Sequence, residues 1–231
     1  MIELEEFLHF IALDKGTNYR DPEIEAIFNS KEIFPSQHCV VATRRAGSIS
    51  VFKTTFGGKF QSATSAKASH VVINARVETV MSKPMFKQAF QDARCIVPVS
   101  GYYEWKKSET GKKLPYLIQV KNSHIGLLAG LLITSTTSTT PFLVIITQEA
   151  STLVQDIHPR QPLHLSPSHL DMWLGTSPIS KCDLERIKNV NDIALEANPV
   201  TKESLTDTTV AISTPSKIAT ENERDRQLRL F

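Results

Sequence analysis

Ile125-Gly126-Leu127-Leu128-Ala129-Gly130-Leu131-Leu132-Ile133 and Phe142-Leu143-Val144-Ile145-Ile146-Thr147 are two apolar runs separated by Thr134–Thr140, which is almost all Ser and Thr. Continuous β-branched and aliphatic runs of this length, bounded by polar residues, read as buried strands. Five stretches further upstream have the same texture: Cys39–Thr43, Ile49–Thr54, Val71–Asn74, Cys95–Val99 and Tyr116–Val120. Helical signals lie around them. Leu4, Phe7, Leu8 and Ile11 recur at helical spacing over residues 3–13, and Asp21–Asn29 opens on a cap followed by Pro22. Met81–Gln91 and Ser166–Leu174 read as helices, and Ser151–Ile157 as a helical turn. Gly57–Ser69 and Thr134–Thr140 are expected as long loops. The expectation is an α+β domain, a mostly antiparallel, barrel-like β-sheet core with flanking helices.

Composition narrows the class. A chain of 231 residues with 41 % hydrophobic content can bury one ordinary core. A net charge of only +2 argues against coating long duplex DNA while leaving room for a local basic patch. No apolar run approaches the roughly 20 residues needed to span a bilayer. The acidic start Met1-Ile2-Glu3-Leu4-Glu5-Glu6 lacks the order of a signal peptide, so a cytoplasmic protein without membrane partners is expected. Cys39, Cys95 and Cys182 are widely spaced, and the histidines show no ligand spacing, so no metal and no cofactor are expected. A Gly-rich phosphate loop, a Ser nucleophile elbow and a zincin helix are all missing.

Three islands carry polar chemistry at strand ends. Asn74 and Arg76 follow Val71-Val72-Ile73; in extended backbone they share a face, where an amide and a guanidinium suit a phosphate, carboxylate or sugar oxygen. An Asn turn beside a surface Arg would look the same. Glu104 stands in Gly101-Tyr102-Tyr103-Glu104-Trp105, among three aromatic rings that could desolvate it for acid–base work. Those rings could equally stack on unpaired bases, or the segment could be an ordinary edge strand. His158 lies in Asp156-Ile157-His158-Pro159-Arg160, able to exchange protons near neutrality, with Arg160 placed to hold a phosphate. A His in a Pro-flanked loop is also a common structural feature.

Together the islands resemble the SOS-response-associated peptidase (SRAP) family. The matching text runs through Ile73–Thr79, Phe86, Arg94–Pro98, Gly101–Trp105, Pro115-Tyr116, Ala129–Leu131, Thr147, Ile157-His158, Arg160, Pro162 and Trp173-Leu174. The resemblance implies binding of single-stranded DNA and capture of abasic sites by an N-terminal cysteine, freed when the initiator Met is removed. It implies that Asn74 and Arg76 position the DNA and the N-terminal residue, and that Glu104 orients the amine and moves protons. By the same resemblance His158 assists sugar opening, Arg160 contacts phosphate, and Trp105 stacks on or wedges a base. The catalytic set is thus Asn74, Glu104 and His158, and the DNA-binding set Arg76, Trp105 and Arg160.

The family begins Met-Cys-Gly-Arg, whereas this chain begins Met1-Ile2-Glu3. As given, the chain is expected to lack the 1,2-aminothiol. Two explanations are open: a start further upstream, or a member that binds DNA without crosslinking. The first is preferred because Glu104 and His158 are both kept. The family's Trp-Gly-Leu and Pro-x-Trp segment is also replaced, by Thr55–Phe60.

Beyond residue 205 the pattern fades. Thr206–Arg226 is rich in Thr, Ser and charge and reads as a disordered tether after a domain spanning 1–205. The terminal pentapeptide Gln227-Leu228-Arg229-Leu230-Phe231 resembles the peptide by which bacterial repair proteins dock on the replicative sliding clamp. In that mode Leu228, Leu230 and Phe231 fill apolar pockets and Gln227 is the polar anchor. A monomer working at damaged replication forks, in the nucleoid, is expected.

Overall fold

The computed structural model describes residues 4–11, 22–29, 32–45, 47–60, 70–135, 138–189, 193–200 and 229–230. Two short helices open the chain, α1 (Leu4–Phe10) and α2 (Pro22–Phe28). A hairpin follows, β1 (His38–Arg45) with β2 (Ser48–Phe56), and then β3 (Gly58–Phe60), β4 (His70–Val72) and β5 (Asn74–Arg76). Helix α3 (Pro84–Asp92) leads into β6 (Arg94–Val99), β7 (Tyr102–Lys107), β8 (Lys113–Val120), β9 (Gly126–Ser135) and β10 (Ser138–Glu149). The chain ends on β11 (Arg160–Pro162), α4 (Leu170–Leu174), α5 (Lys181–Lys188), β12 (Leu195–Pro199) and β13 (Arg229–Leu230).

Five strands close on themselves in the order β10-β2-β1-β6-β9, because β10 pairs antiparallel with β9 and parallel with β2. The barrel-like α+β expectation holds. Alternation along its strands explains why both faces are apolar. Cys39, Val41, Cys95, Val97, Leu128, Leu143 and Ile145 meet in one cluster inside the barrel. Their neighbours Val40, Ala42, Ile96, Ala129, Leu131, Val144 and Ile146 join Phe7, Phe86, Phe90 and Trp173 in a second cluster beneath the helices. The interior is full. A Cβ on Gly130 would stand 2.7 Å from Leu143 Cδ1 and 2.9 Å from Cys95 Sγ, so only glycine fits there.

A second sheet, β12-β8-β7-β13, packs against one end of the barrel through Tyr102, Ile118 and Leu230. On the helical side one buried side chain ties the layers together. Arg94 donates to the carbonyls of Phe90 at 2.6 Å, Gln91 at 2.8 Å, Trp173 at 2.6 Å and Ser177 at 3.0 Å, and also to that of Gly175. Trp173 in turn donates its indole N–H to the Cys95 carbonyl at 2.8 Å.

Boundaries differ from expectation at several places. The Ser/Thr run Thr134–Thr140 is mostly strand: β9 continues to Ser135 and β10 starts at Ser138, with a register shift between Ser138 and Phe142. Threonine is β-branched and extends a hairpin as readily as it fills a loop. Val71–Asn74 is two strands, because pairing changes partner at Ile73: β4 pairs with β3 and β5 with β10. Of Gly57–Ser69, residues 58–60 are strand and 61–69 lie outside the described residues, as does the expected tether 206–226. Ser151–Ile157 is a helical turn as expected, with Gln155 N–H donating to Ser151 O at 2.9 Å and His158 N–H to Val154 O at 2.9 Å.

Candidate functional site

The site is built around the last residues of β10. Thr147 has Arg76 of β5 on one side and Pro162 of β11 on the other. Asn74 and Arg76 flank the buried Ala75 and are both exposed, so they share a face as their spacing requires.

Arg160 joins the first island to the third. Its guanidinium forks onto Glu78, with contacts of 2.7 and 3.0 Å, and donates to the Thr147 carbonyl at 2.6 Å. Partial burial pushes Glu78 upward, but the bonds from Arg160 outweigh it and hold its carboxyl below the usual range. Glu78 was not among the residues singled out from the sequence. A signal was there, since it lies two residues past Arg76 and supplies the carboxylate that a half-buried Arg needs.

Glu104 joins the second island to the third. It is 4 % exposed, and its Oε1 lies 3.8 Å from His158 Nδ1 across the gap between the two sheets. Burial pushes its carboxyl up to about 8, against a lowering bond from the Trp105 backbone, so at neutral pH the acid holds its proton. Glu104 Oε2 is buried without a partner among the described residues. The desolvation does not come from three rings around it. Tyr102 shares the face of Glu104, but Tyr103 and Trp105 project from the other side of β7, where their ring centroids are 6.4 Å apart. The barrel-end core does most of the drying. Tyr102 is itself fully buried, its ring 5.7 Å from that of His164.

His158 Nδ1 lies 2.8 Å from the Arg160 carbonyl. The Arg160 backbone N–H lies 3.2 Å from the same nitrogen, so Nδ1 donates to the carbonyl in one tautomer and accepts from the N–H in the other. A buried, protonated carboxyl and an imidazole thus stand 3.8 Å apart, side-chain types that general acid–base work uses. The chain's internal thiols are no substitute for a nucleophile at this place. Cys39 and Cys95 are fully buried in the barrel, where burial pushes the Cys39 thiol up to about 12 and raises that of Cys95 as well. Cys182 is exposed, on α5. The second and third islands therefore meet at His158–Glu104, and the first lies beside them on β5, where Arg76 stands opposite Thr147, whose carbonyl accepts from Arg160. Trp105 is half-buried on the reverse face of β7, and Leu230 is seated against the front of it.

The chain is similar to known proteins over most of this architecture. The SOS response associated peptidase (SRAP) family pattern matches residues 7–204. "Abasic site processing protein YoaM" of Bacillus subtilis is 34 % identical over 155 residues, covering 64 % of this chain and 68 % of that protein. "Abasic site processing protein YedK" of Escherichia coli is 36 % identical over 111 residues, covering 45 % and 47 %. A crystal structure of a protein from Bacteroides thetaiotaomicron superimposes with a TM-score of 0.58 at 26 % identity, covering 74 % of this chain and 76 % of that one. The matched span takes in the barrel and every residue of the Asn74–Glu104–His158 site, and the chain belongs to the SRAP family.

Proposed function

We propose that this domain binds single-stranded DNA and acts on abasic sites in the response to DNA damage. The observation that carries the reading is the pairing of a dry, protonated Glu104 with His158, with Asn74 and Arg76 exposed on β5, the strand paired with the end of β10. An abasic sugar is mostly a closed hemiacetal. Opening it needs a proton delivered to the ring oxygen and another withdrawn from the C1′ hydroxyl; the ring C–O bond breaks as the C1′ carbonyl forms. Glu104 supplies the first proton and the His158 imidazole takes the second. Asn74 and Arg76 hold the strand, and Trp105 stacks on or wedges a neighbouring base. Arg160 acts in this reading by fixing Glu78 and presenting the outer part of its guanidinium to phosphate.

Covalent shielding follows if the chain starts upstream with Met-Cys and the Met is removed. The α-amine then condenses with the C1′ aldehyde, losing water, and the thiol adds across the imine to close a thiazolidine. The second reading is a non-catalytic binder. A denaturing gel with a single-stranded oligonucleotide carrying one abasic site tests both. The chain Met1–Phe231 is expected to bind this oligonucleotide in preference to duplex and to leave no heat-stable band; a Met-Cys-extended chain is expected to leave one that Glu104→Gln weakens at least tenfold. Equal binding to duplex and single strand would sink the reading.

The terminal pentapeptide adds a proposed partner, the replicative sliding clamp, through Gln227, Leu228, Leu230 and Phe231. The support is the residue pattern.

A further inference from the structure

Strand β13 is the described part of that pentapeptide, and its Leu230 is buried. Arg229 and Leu230 add an antiparallel strand to the edge of β7, opposite Tyr103 and Tyr102. Leu230 also pairs with Ile33: the Ile33 N–H donates to the Leu230 carbonyl at 2.7 Å, and the Leu230 N–H donates to the Ile33 carbonyl at 3.2 Å. Its side chain is 1 % exposed and belongs to the cluster that holds Tyr102, Ile118 and Val154, with Ile157 packed against it. Residues opposite one another on paired strands share a face, so Leu230 lies on the face of Tyr102 and Glu104. Without β13, β7 would be an open strand edge beside the acid.

Leu230 therefore has two claimants. A clamp groove takes the pentapeptide by burying Leu230, and one side chain cannot fill two pockets at once. We propose that the C-terminal strand is a detachable cover of the Glu104–His158 site, and that a sliding clamp binding the pentapeptide draws it off. The second half rests on the clamp reading above; the first half stands without it. Seated, the strand keeps the edge of β7 paired and the barrel end dry. Drawn off, it leaves that edge open to a single strand of DNA when the domain is held at the fork. The coupling is reciprocal, so DNA that prefers the open site also tightens clamp binding.

Hydrogen exchange followed by mass spectrometry tests this on the full chain, on a chain ending at Arg226, and on the full chain with added clamp. Cutting at Arg226 is expected to speed exchange at residues 32–34 and 101–105 at least tenfold while β9 and β10 are unchanged. Free Gln-Leu-Arg-Leu-Phe added in trans is expected to restore protection. Clamp added to the full chain is expected to give the same loss of protection as the cut. Unchanged exchange in the shortened chain overturns the cover, and so does loss of protection throughout the barrel, which would make β13 an integral strand. A clamp that binds while residues 32–34 and 101–105 stay protected overturns the exclusion. A clamp that fails to bind removes the clamp reading and the release step, and the shortened chain still decides the cover.

Discussion

Glu104 carries the strongest pH signature in the site. Its carboxyl, ordinarily near 4.5, is pushed up to about 8 by burial. Between those values the folded chain keeps a proton that the unfolded chain has released, so stability falls as pH rises from about 5 to 8 and then levels. Glu104→Gln removes that fall. The variant is expected to match the parent near pH 4 and to exceed it by roughly 2–4 kcal/mol at pH 9. Denaturant unfolding at the two pH values checks this, and parallel pH slopes for parent and variant would refute it. Arg94 acts in the opposite sense. Arg94→Lys keeps the charge but cannot reach five carbonyls, and is expected to destabilise by roughly 2–4 kcal/mol at any pH between 5 and 9. Thermal melting of that variant is the check.

Among the elements, the β7–β8 hairpin extends the site outward. Lys106, Lys107, Lys112 and Lys113 crowd its tip, Lys107 directly opposite Lys113, and none of the four joins an ion pair among the described residues. The turn is held by Ser108 N–H donating to the Lys112 carbonyl at 2.8 Å and by Gly111 at φ 78°. Lys107 and Lys113 stand opposite each other on the Trp105 face of the hairpin, with Lys106 on the other face, and ammonium groups so gathered suit a phosphate backbone. Replacing all four by Gln is expected to lower the salt slope of single-strand binding by up to about 3, at little cost in stability. A slope that does not change would move the DNA path elsewhere. Legibility also divides by element. Strands buried on both faces, such as Cys95–Val99 and Phe142–Thr147, were plain because burial demands an unbroken apolar run. Helix α5 was missed although Ser180 and Asp183 form a capping box whose spacing is written in the chain. β7 reads equally as a site motif or an ordinary edge strand, because its aromatic and charged residues serve both faces at once. The seat of Leu230 on β7 was beyond local reading, since it depends on a partner about 130 residues away in the chain.

At the scale of the molecule, the barrel interior is packed shut, and Gly130 measures how tightly. Gly130→Ala is expected to destabilise by roughly 1–3 kcal/mol, with part of the loss recovered when Cys95→Ala is added to make room. Additive melting temperatures in the double variant would show that the two sites do not share the space. The three site islands were legible singly as residue types, and the family resemblance supplied their order. What joined them, Glu78 to Arg160 and Glu104 to His158, depends on a fold that brings β5, β7 and the turn before β11 to one end of the barrel.

Strand β10 both closes the barrel and ends at the site, held by β2, β5, β9 and β11. A strand paired on that many sides is held firmly, so in the proposed complex with DNA the protein is the stiffer partner. Shape adjustment then falls to the nucleic acid. Ordinary nucleotides resist such bending because their bases must unstack, whereas a sugar that has lost its base gives way with almost no stacking to surrender. The stiffness of one seam would thereby make the lesion the cheapest place on the strand to fit.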